Sequence, residues 1–362
     1  MLDPEMLARP NIQRLKPYSS ARSEFGGSAE VYLDANENAF GSPIETQLNR
    51  YPDPLQRTVK ERLAAVKGVT SDQIFVGNGS DEAIDLLFRI FCEPGRDQAI
   101  ICPPTYGMYK VAADINDITV REIPLIGDFQ LDAAAIVGAA SEAAKLVFIC
   151  SPNNPTGNVM NREDVLMIAE NFPGIVVVDE AYIDFAPERS LISEIGGFPN
   201  LVVLQTFSKA WGMAGARVGL AFGNPKLIEL FNRVKPPYNV SRLAQDAILD
   251  ALENGGTVDK WVTQIREQRS SLRGSLADLE IVETVYPSDA NFLLVKFGAP
   301  ESVYNFLLSE NIVVRDRSNV VRCERCLRIT VGTPEENSAL IASLRRCEKS
   351  GGAAAALTEI AI

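Results

Sequence analysis

Histidine is missing from all 362 positions of the chain. That absence excludes Ser-His-Asp and Cys-His nucleophilic catalysis, histidine metal sites and imidazole acid–base chemistry together. Proton transfer is left to lysine, carboxylate, tyrosine or cysteine, and a catalytic lysine gains weight by elimination. Cysteine is scarce too: six in the whole chain, too few for a disulfide scaffold at this length. Cys92, Cys102 and Cys150 sit in apolar contexts that suit buried thiols. Cys323-Glu324-Arg325-Cys326 is a CxxC, but no second pair or histidine completes a zinc site, and no metal is expected. Basic residues number 35 against 47 acidic ones, and the net charge of −12 argues against nucleic acid or an anionic membrane as partner. No apolar run nears the roughly 20 residues of a membrane span. The polar N-terminus lacks a signal-peptide core, so a cytoplasmic protein is expected.

What is present is the pattern of an α/β protein. At 362 residues and 46% hydrophobic, the chain suits one large domain plus a smaller one. Residues 1–30 are polar and broken by Lys16-Pro17-Tyr18, which reads as an N-terminal arm. Val31-Tyr32-Leu33-Asp34 reads as a short strand, and Leu55 to Lys67 as a helix stopped by Gly68. Short apolar runs then recur at Ile74–Val76, Ala99–Cys102, Leu146–Cys150, Ile175–Val178 and Leu201–Leu204. Such runs, bounded by turns and helical stretches, fit strands buried on both faces of a mainly parallel sheet. After Pro236-Pro237 the pattern turns helix-rich, followed by strand-like segments at Phe292–Val295, Ile312–Val314 and Leu327–Val331. The expected division is a large domain over 31–237 and a small α+β domain over 238–362. Its Gly/Ala-rich tail, 350–362, is expected to fray.

Polar residues gather just past the ends of these strands, where open α/β sheets bind ligands. Thr206-Phe207-Ser208-Lys209-Ala210-Trp211-Gly212 leads to Arg217, a lysine among small residues with an arginine beyond it. This suits a Schiff-base lysine beside a phosphate clamp of Ser208 and Arg217, or a surface lysine and arginine in a glycine-rich turn. Gly77-Asn78-Gly79-Ser80-Asp81 opens a helix whose free N–H groups could hold a phosphate, or is an ordinary strand–helix turn; it is neither GxGxxG nor a Walker loop. Asp179 ends the run Val176-Val177-Val178 and is a solvated acid, a helix N-cap or the partner of a protonated ring nitrogen. Ser151-Pro152-Asn153-Asn154-Pro155-Thr156-Gly157 is a turn by itself, Tyr106 could equally be a core tyrosine, and Tyr182 follows Asp179 closely enough to donate to the same ligand.

Taken in order, these segments resemble the fold-type I pyridoxal-phosphate (PLP) aminotransferases. That chemistry needs a lysine for the imine, an acid for the pyridinium nitrogen, and donors for ring oxygen and phosphate. Within that class the chain is similar to the histidinol-phosphate aminotransferase family. The motifs are Leu33-Asp34-Ala35-Asn36-Glu37-Asn38, Arg50-Tyr51-Pro52-Asp53-Pro54, Pro104-Thr105-Tyr106-Gly107-Met108-Tyr109, Lys235-Pro236-Pro237-Tyr238-Asn239-Val240 and Leu327-Arg328-Ile329-Thr330-Val331-Gly332. The likeness runs from about Lys16 to Asn337. It implies a PLP enzyme exchanging an amino group between L-histidinol phosphate and 2-oxoglutarate (or glutamate) in histidine biosynthesis.

By the same resemblance, Lys209 carries the Schiff base and moves the α-proton, and Asp179 pairs with the ring nitrogen. Asn154 and Tyr182 meet the ring oxygen, and Tyr106 covers the ring face. Ser80, Asp81, Ser208 and Arg217 hold the cofactor phosphate. Tyr51 reaches the site of a second subunit, which implies a homodimer, and Tyr18, Arg315 and Arg328 bind substrate. One stretch departs from the family pattern: Asp316 to Cys326 is arginine-rich, so Arg317, Arg322 and Arg325 compete for the substrate-facing role. The rival readings are an aromatic-amino-acid aminotransferase, a threonine-phosphate decarboxylase and, from another class, a non-catalytic PLP-binding regulator.

Overall fold

A computed structural model of the chain describes residues 3–19 and 29–350. Its centre is a seven-stranded sheet in the order β1-β7-β6-β5-β4-β2-β3. The strands are β1 (Ile74–Gly77), β2 (Gln98–Ile101), β3 (Thr119–Glu122), β4 (Ala144–Cys150), β5 (Ile175–Asp179), β6 (Leu201–Thr206) and β7 (Gly219–Gly223). From β3 across to β6 every pairing is parallel; β7 alone runs antiparallel to both its neighbours, β6 and β1.

The apolar runs of β5 and β6 are buried throughout because helices cover both faces of the sheet. Alternation sorts the side chains between them. Val176 and Val178 join a core with Val165 and Ile168 of the helix Arg162–Asn171 and with Ala244 and Ile248 of Arg242–Glu253. Ile175 and Val177 join the opposite core, with Leu87 and Phe88 of Ser80–Phe91 and Leu230 and Phe231 of Pro225–Val234. Each of these valine, isoleucine, leucine and phenylalanine side chains contributes about 1.5–3 kcal/mol by leaving water. The result fixes where β4, β5 and β6 end. Cys150 lies beside Asp179, and Asp179 beside Leu204, so the loops that follow are neighbours.

A second sheet is antiparallel, in the order β10-β11-β9-β8. It comprises β8 (Val282–Val285), β9 (Phe292–Phe297), β10 (Arg315–Asp316) and β11 (Cys326–Thr330). Its core is completed by Leu272 and Leu276 from the helix Gly255–Ala277, Val303 and Leu307 from Pro300–Ser309, and Leu340 and Leu344 from Pro334–Lys349.

The structure corrects several expectations. Val31–Asp34 is not a strand: Val31 and Leu33 are exposed and pair with no sheet edge. Ile312–Val314 is irregular, and the strand there is Arg315–Asp316. The helix read from Leu55 starts at Arg57, because Gln56 has φ +51° and cannot continue it, and Gly68 ends it at φ +68° as expected. The arm is more than a polar appendage. Ala8 and Ile12 are buried in the core beneath the helix Ser80–Phe91, and Arg9 pairs with Glu93 at 3.0 Å. The tail residues 351–362 lie outside the described residues.

Candidate active site

The loops after β4, β5 and β6, the start of the helix Ser80–Phe91 and the hairpin β10–β11 enclose a cavity of about 610 Å3. Ser80, Asp81, Tyr106, Asn154, Asp179, Tyr182, Ser208, Lys209, Arg217, Arg315 and Arg328 all line it, as does Arg317. Residues up to 248 positions apart in the chain thus face one space because strand order brings their loops together.

One end of the cavity gathers groups that can hold an anion. The helix Ser80–Phe91 has no side-chain cap at Gly79, so its first N–H groups are open to a ligand. Gly79 adopts φ +82°, and a Cβ there would sit 2.7 Å from Arg217 Nη2. Across the loop, a Cβ on Gly219 would come within 2.1 Å of the Ser80 nitrogen, so β7 packs backbone to backbone against the helix start. Arg217 itself is left-handed at φ +53°. Its contact with Asp81, 3.5 Å between half-exposed groups, is a weak tether that leaves the guanidinium available. Ser208 stands beside them, its N–H and hydroxyl both bonded to Thr206 Oγ1.

At the other end lies a buried carboxylate. Asp179 is 2% exposed and accepts bonds from Tyr109 Oη at 2.7 Å and the Ala181 N–H at 3.1 Å. Burial pushes its pKa up, and the Tyr109 bond opposes that rise. Tyr109 was not singled out by the sequence reading. It is fully buried, stacked on Phe148 with ring centroids 4.9 Å apart and edge-on to Tyr106 at 5.5 Å. No helical spacing marks it in the sequence, because Tyr109 lies in the helix Met108–Ile115 whereas Tyr106 precedes that helix. Tyr106 in turn donates to Asp81 at 3.2 Å.

Between the two ends, Lys209 Nζ stands 5.4 Å from the centre of the Tyr182 ring. The ammonium is open to the cavity, yet the cavity walls displace much of its bulk water. That desolvation first, and Arg328 second, pull its pKa below the usual lysine range, against the pull of Asp179 and Asp81. Tyr182 packs edge-on against Phe292 at 5.1 Å, and burial raises its pKa. From the hairpin, Arg328 donates through Nη1 to Asn154 Oδ1 and lies 5.2 Å over the Phe292 ring. Asn154 keeps its amide N–H groups free to donate.

The model of the class I and II aminotransferases matches residues 30–344. The histidinol-phosphate aminotransferase of Parabacteroides distasonis is 51% identical over 345 residues, covering 95% of this chain and 99% of its own. The chain belongs to the histidinol-phosphate aminotransferase family within class I and II. Among solved structures, the Sinorhizobium meliloti histidinol-phosphate aminotransferase in complex with pyridoxal-5'-phosphate is 25% identical, with a TM-score of 0.77 over 94% of this chain and 97% of that one. The L-threonine-O-3-phosphate decarboxylase of Porphyromonas gingivalis is 26% identical, with a TM-score of 0.71 over 83% and 90%.

Not every marked residue of this aminotransferase reaches the cavity. Tyr18 is largely exposed and lines a separate space of about 590 Å3 beside Arg14 and Arg233. Tyr51 is half exposed and stacks on Tyr238 with centroids 4.4 Å apart, beside a third space of about 400 Å3. The arginine-rich stretch is sorted by the fold. Arg317 faces the cavity, whereas Arg322 donates to the carbonyls of Leu125 and Gly127 and lies 5.4 Å over the Phe129 ring. Arg325 pairs with Glu283 on β8. Cys323 and Cys326 are buried, free thiols on either side of a turn closed by the Cys326 N–H on the Cys323 carbonyl at 2.9 Å. Burial pushes these thiols up to about 12 and about 11, far from the thiolate that redox or metal chemistry uses.

Proposed function

We propose that this enzyme transfers an amino group between L-histidinol phosphate and 2-oxoglutarate with PLP as cofactor, as a cytoplasmic homodimer. The observation that carries the reading is one cavity with an uncapped helix start and Arg217 at one end, a buried Asp179 at the other, and Lys209 between them. The residues present fit PLP: a phosphate needs N–H groups and a guanidinium, and a protonated pyridine needs a buried acid. Bound there, the cofactor supplies an electrophilic carbonyl and an electron-withdrawing ring.

The protein's part follows from its own groups. The N–H groups of Ser80 and Asp81, the Ser208 hydroxyl and Arg217 hold the phosphate. Asp179 is costly to ionise where it sits, and a ring N–H⁺ against it offsets that cost. Tyr109 keeps the carboxylate oriented. Asn154 and Tyr182 donate to the ring oxygen, and Tyr106 covers one ring face. Lys209, with its pKa drawn down, has a larger share of neutral amine to serve as nucleophile and to take the proton from the substrate's amino-bearing carbon. Arg315 and Arg328 bind the substrate anion: the phosphate of histidinol phosphate, and the carboxylate of glutamate in the other half-reaction.

Tyr51 does not line the cavity of its own chain and is half exposed, which supports a role at the phosphate of a partner subunit. Tyr18 is assigned to substrate binding on the family resemblance. The unit taken as 238–362, whose first helix Arg242–Glu253 packs on the large sheet, then supplies the substrate arginines, and the unit 31–237 supplies the cofactor residues. The 51% identity favours the histidinol-phosphate reading over the threonine-phosphate decarboxylase, whose structure is 26% identical. The test is single-turnover loss of the cofactor's visible absorbance with L-histidinol phosphate, phenylalanine, tyrosine and threonine phosphate, with products identified. Fast conversion by histidinol phosphate alone is expected. Comparable rates with the aromatic amino acids, or carbon dioxide from threonine phosphate, would replace the assignment.

A further inference from the structure

The hairpin β10–β11 holds an arrangement that sheet energetics disfavours. Arg315 and Arg328 are direct cross-strand partners, and like charges placed opposite each other destabilise a ladder. Arg317 lies two residues past Arg315, and its N–H bonds the Cys326 carbonyl at 2.9 Å, so the hairpin continues and Arg317 returns to the same face. All three arginines line the cavity. None of them forms an ion pair among the described residues, and the cavity's two carboxylates are engaged elsewhere. Arg328 spends one N–H on Asn154 and leaves its buried Nε without a partner. Mutual proximity of the three also lowers the pKa of Arg317, after burial.

Three converging cations without an anion describe a receptor, and the number is informative. A carboxylate offers two oxygens and one charge, which one or two guanidinium forks satisfy. A phosphomonoester offers three non-ester oxygens and nearly two charges at neutral pH. We propose that Arg317 is a specificity-determining residue, the third guanidinium of a cradle that favours the phosphomonoester substrate over the carboxylate one. The inference rests on the substrate reading above and extends it to a residue outside the pair Arg315 and Arg328. The neighbouring turn holds Arg317 in place: Arg322 is fastened to Leu125 and Gly127, and Cys323 and Cys326 are packed into the core.

The experiment compares Arg317→Gln with wild-type holoenzyme in kcat/KM for L-histidinol phosphate and for glutamate. Loss of one charge-assisted contact pair is expected to lower the first by about 10- to 100-fold and the second by about threefold. The selectivity change should shrink below about pH 6, where the phosphate takes up a proton and becomes a monoanion. A merely structural role for Arg317 would show no such pH signature. Equal losses for both substrates, or no loss, would overturn the proposal. If Arg317→Gln fails to fold or to hold cofactor, Arg317→Lys carries the test, since it keeps the charge and removes the planar fork. A smaller but still selective loss is then expected, and a non-selective or absent one is fatal. A wild-type enzyme inert towards histidinol phosphate would sink the substrate reading instead. The cradle is then read through inorganic phosphate as a competitor of glutamate, whose inhibition Arg317→Gln should weaken about tenfold; unaltered inhibition would overturn the cradle too.

Discussion

Glu180→Gln should make this protein more stable at alkaline pH, although it removes a charge held by three hydrogen bonds. Glu180 is 1% exposed and accepts from Ser190 Oγ at 2.7 Å, the Leu191 N–H at 2.6 Å and Gln205 Nε2 at 2.9 Å. Those donors favour the carboxylate, yet burial outweighs them and pushes the pKa from 4.5 to about 7. The folded state therefore binds the proton more tightly than the unfolded one. Below the unfolded value the group costs nothing, and stability is lost as pH rises through about 7. At about 1.4 kcal/mol per pH unit of displacement, the full loss is about 3 kcal/mol, and about 2–3 kcal/mol of it falls between pH 5 and pH 8. Glutamine cannot ionise, so its advantage over wild type should grow by that amount across the window. Its new N–H groups have an acceptor at hand, because Gln205 Oε1 is buried without a partner. Asp179 and Asp184, also raised by burial, are common to both proteins and cancel in the difference. Urea unfolding of both holoenzymes at pH 5, 6, 7 and 8, at fixed protein and PLP concentrations, measures it. A wild-type-minus-variant difference that stays flat with pH would refute the reasoning.

Lys209→Ala should lower turnover by about 10⁴-fold or more and remove the lysine-dependent visible absorbance of the loaded enzyme; wild-type-like turnover would unseat it. Arg328→Ala removes a guanidinium that also bonds Asn154, and kcat/KM should fall by about 100-fold in both half-reactions. A defect confined to the glutamate half would mean that the two anions do not share a site. Tyr109→Phe deletes the bond that holds down the pKa of Asp179, so the acid limb of the pH–rate profile should move to higher pH and kcat/KM should fall about tenfold. An unmoved acid limb would show that Tyr109 only fills space.

The parts of the fold written as continuous apolar runs could be read directly. β5 and β6 are buried on both faces, and nothing but a sheet interior accounts for such a run beside turn signals. β3 and β7 escaped notice for opposite reasons. Thr119–Glu122 is a largely exposed edge, and Gly219–Gly223 begins and ends on glycine, which reads as a turn. Val31–Asp34 has strand composition but no partner, and composition cannot supply one. Most of the cavity residues were legible because they end a strand, follow one in a loop or open a helix, while Arg328 sits within β11 and stands out only by resemblance. Tyr109 was not, since a tyrosine acting from behind another side chain looks like any core tyrosine. Of the four arginines between 315 and 325, only three-dimensional position separates Arg315 and Arg317 from Arg322 and Arg325.

The contact of Gly219 with the start of the helix Ser80–Phe91 bears on how this chain can vary. Most residues that hold a ligand can be exchanged for another that reaches the same point by a different rotamer. Here the proposed anion-binding end is set by two backbones touching, with 2.1 Å between a hypothetical Cβ and the Ser80 nitrogen. No rotamer relieves that overlap; any side chain at 219 must wedge the helix off the strand and carry its open N–H groups away from Ser208 and Arg217. Position 219 should therefore tolerate nothing but glycine in a library scored by cofactor retention, while the solvent-facing positions of the same helix vary freely.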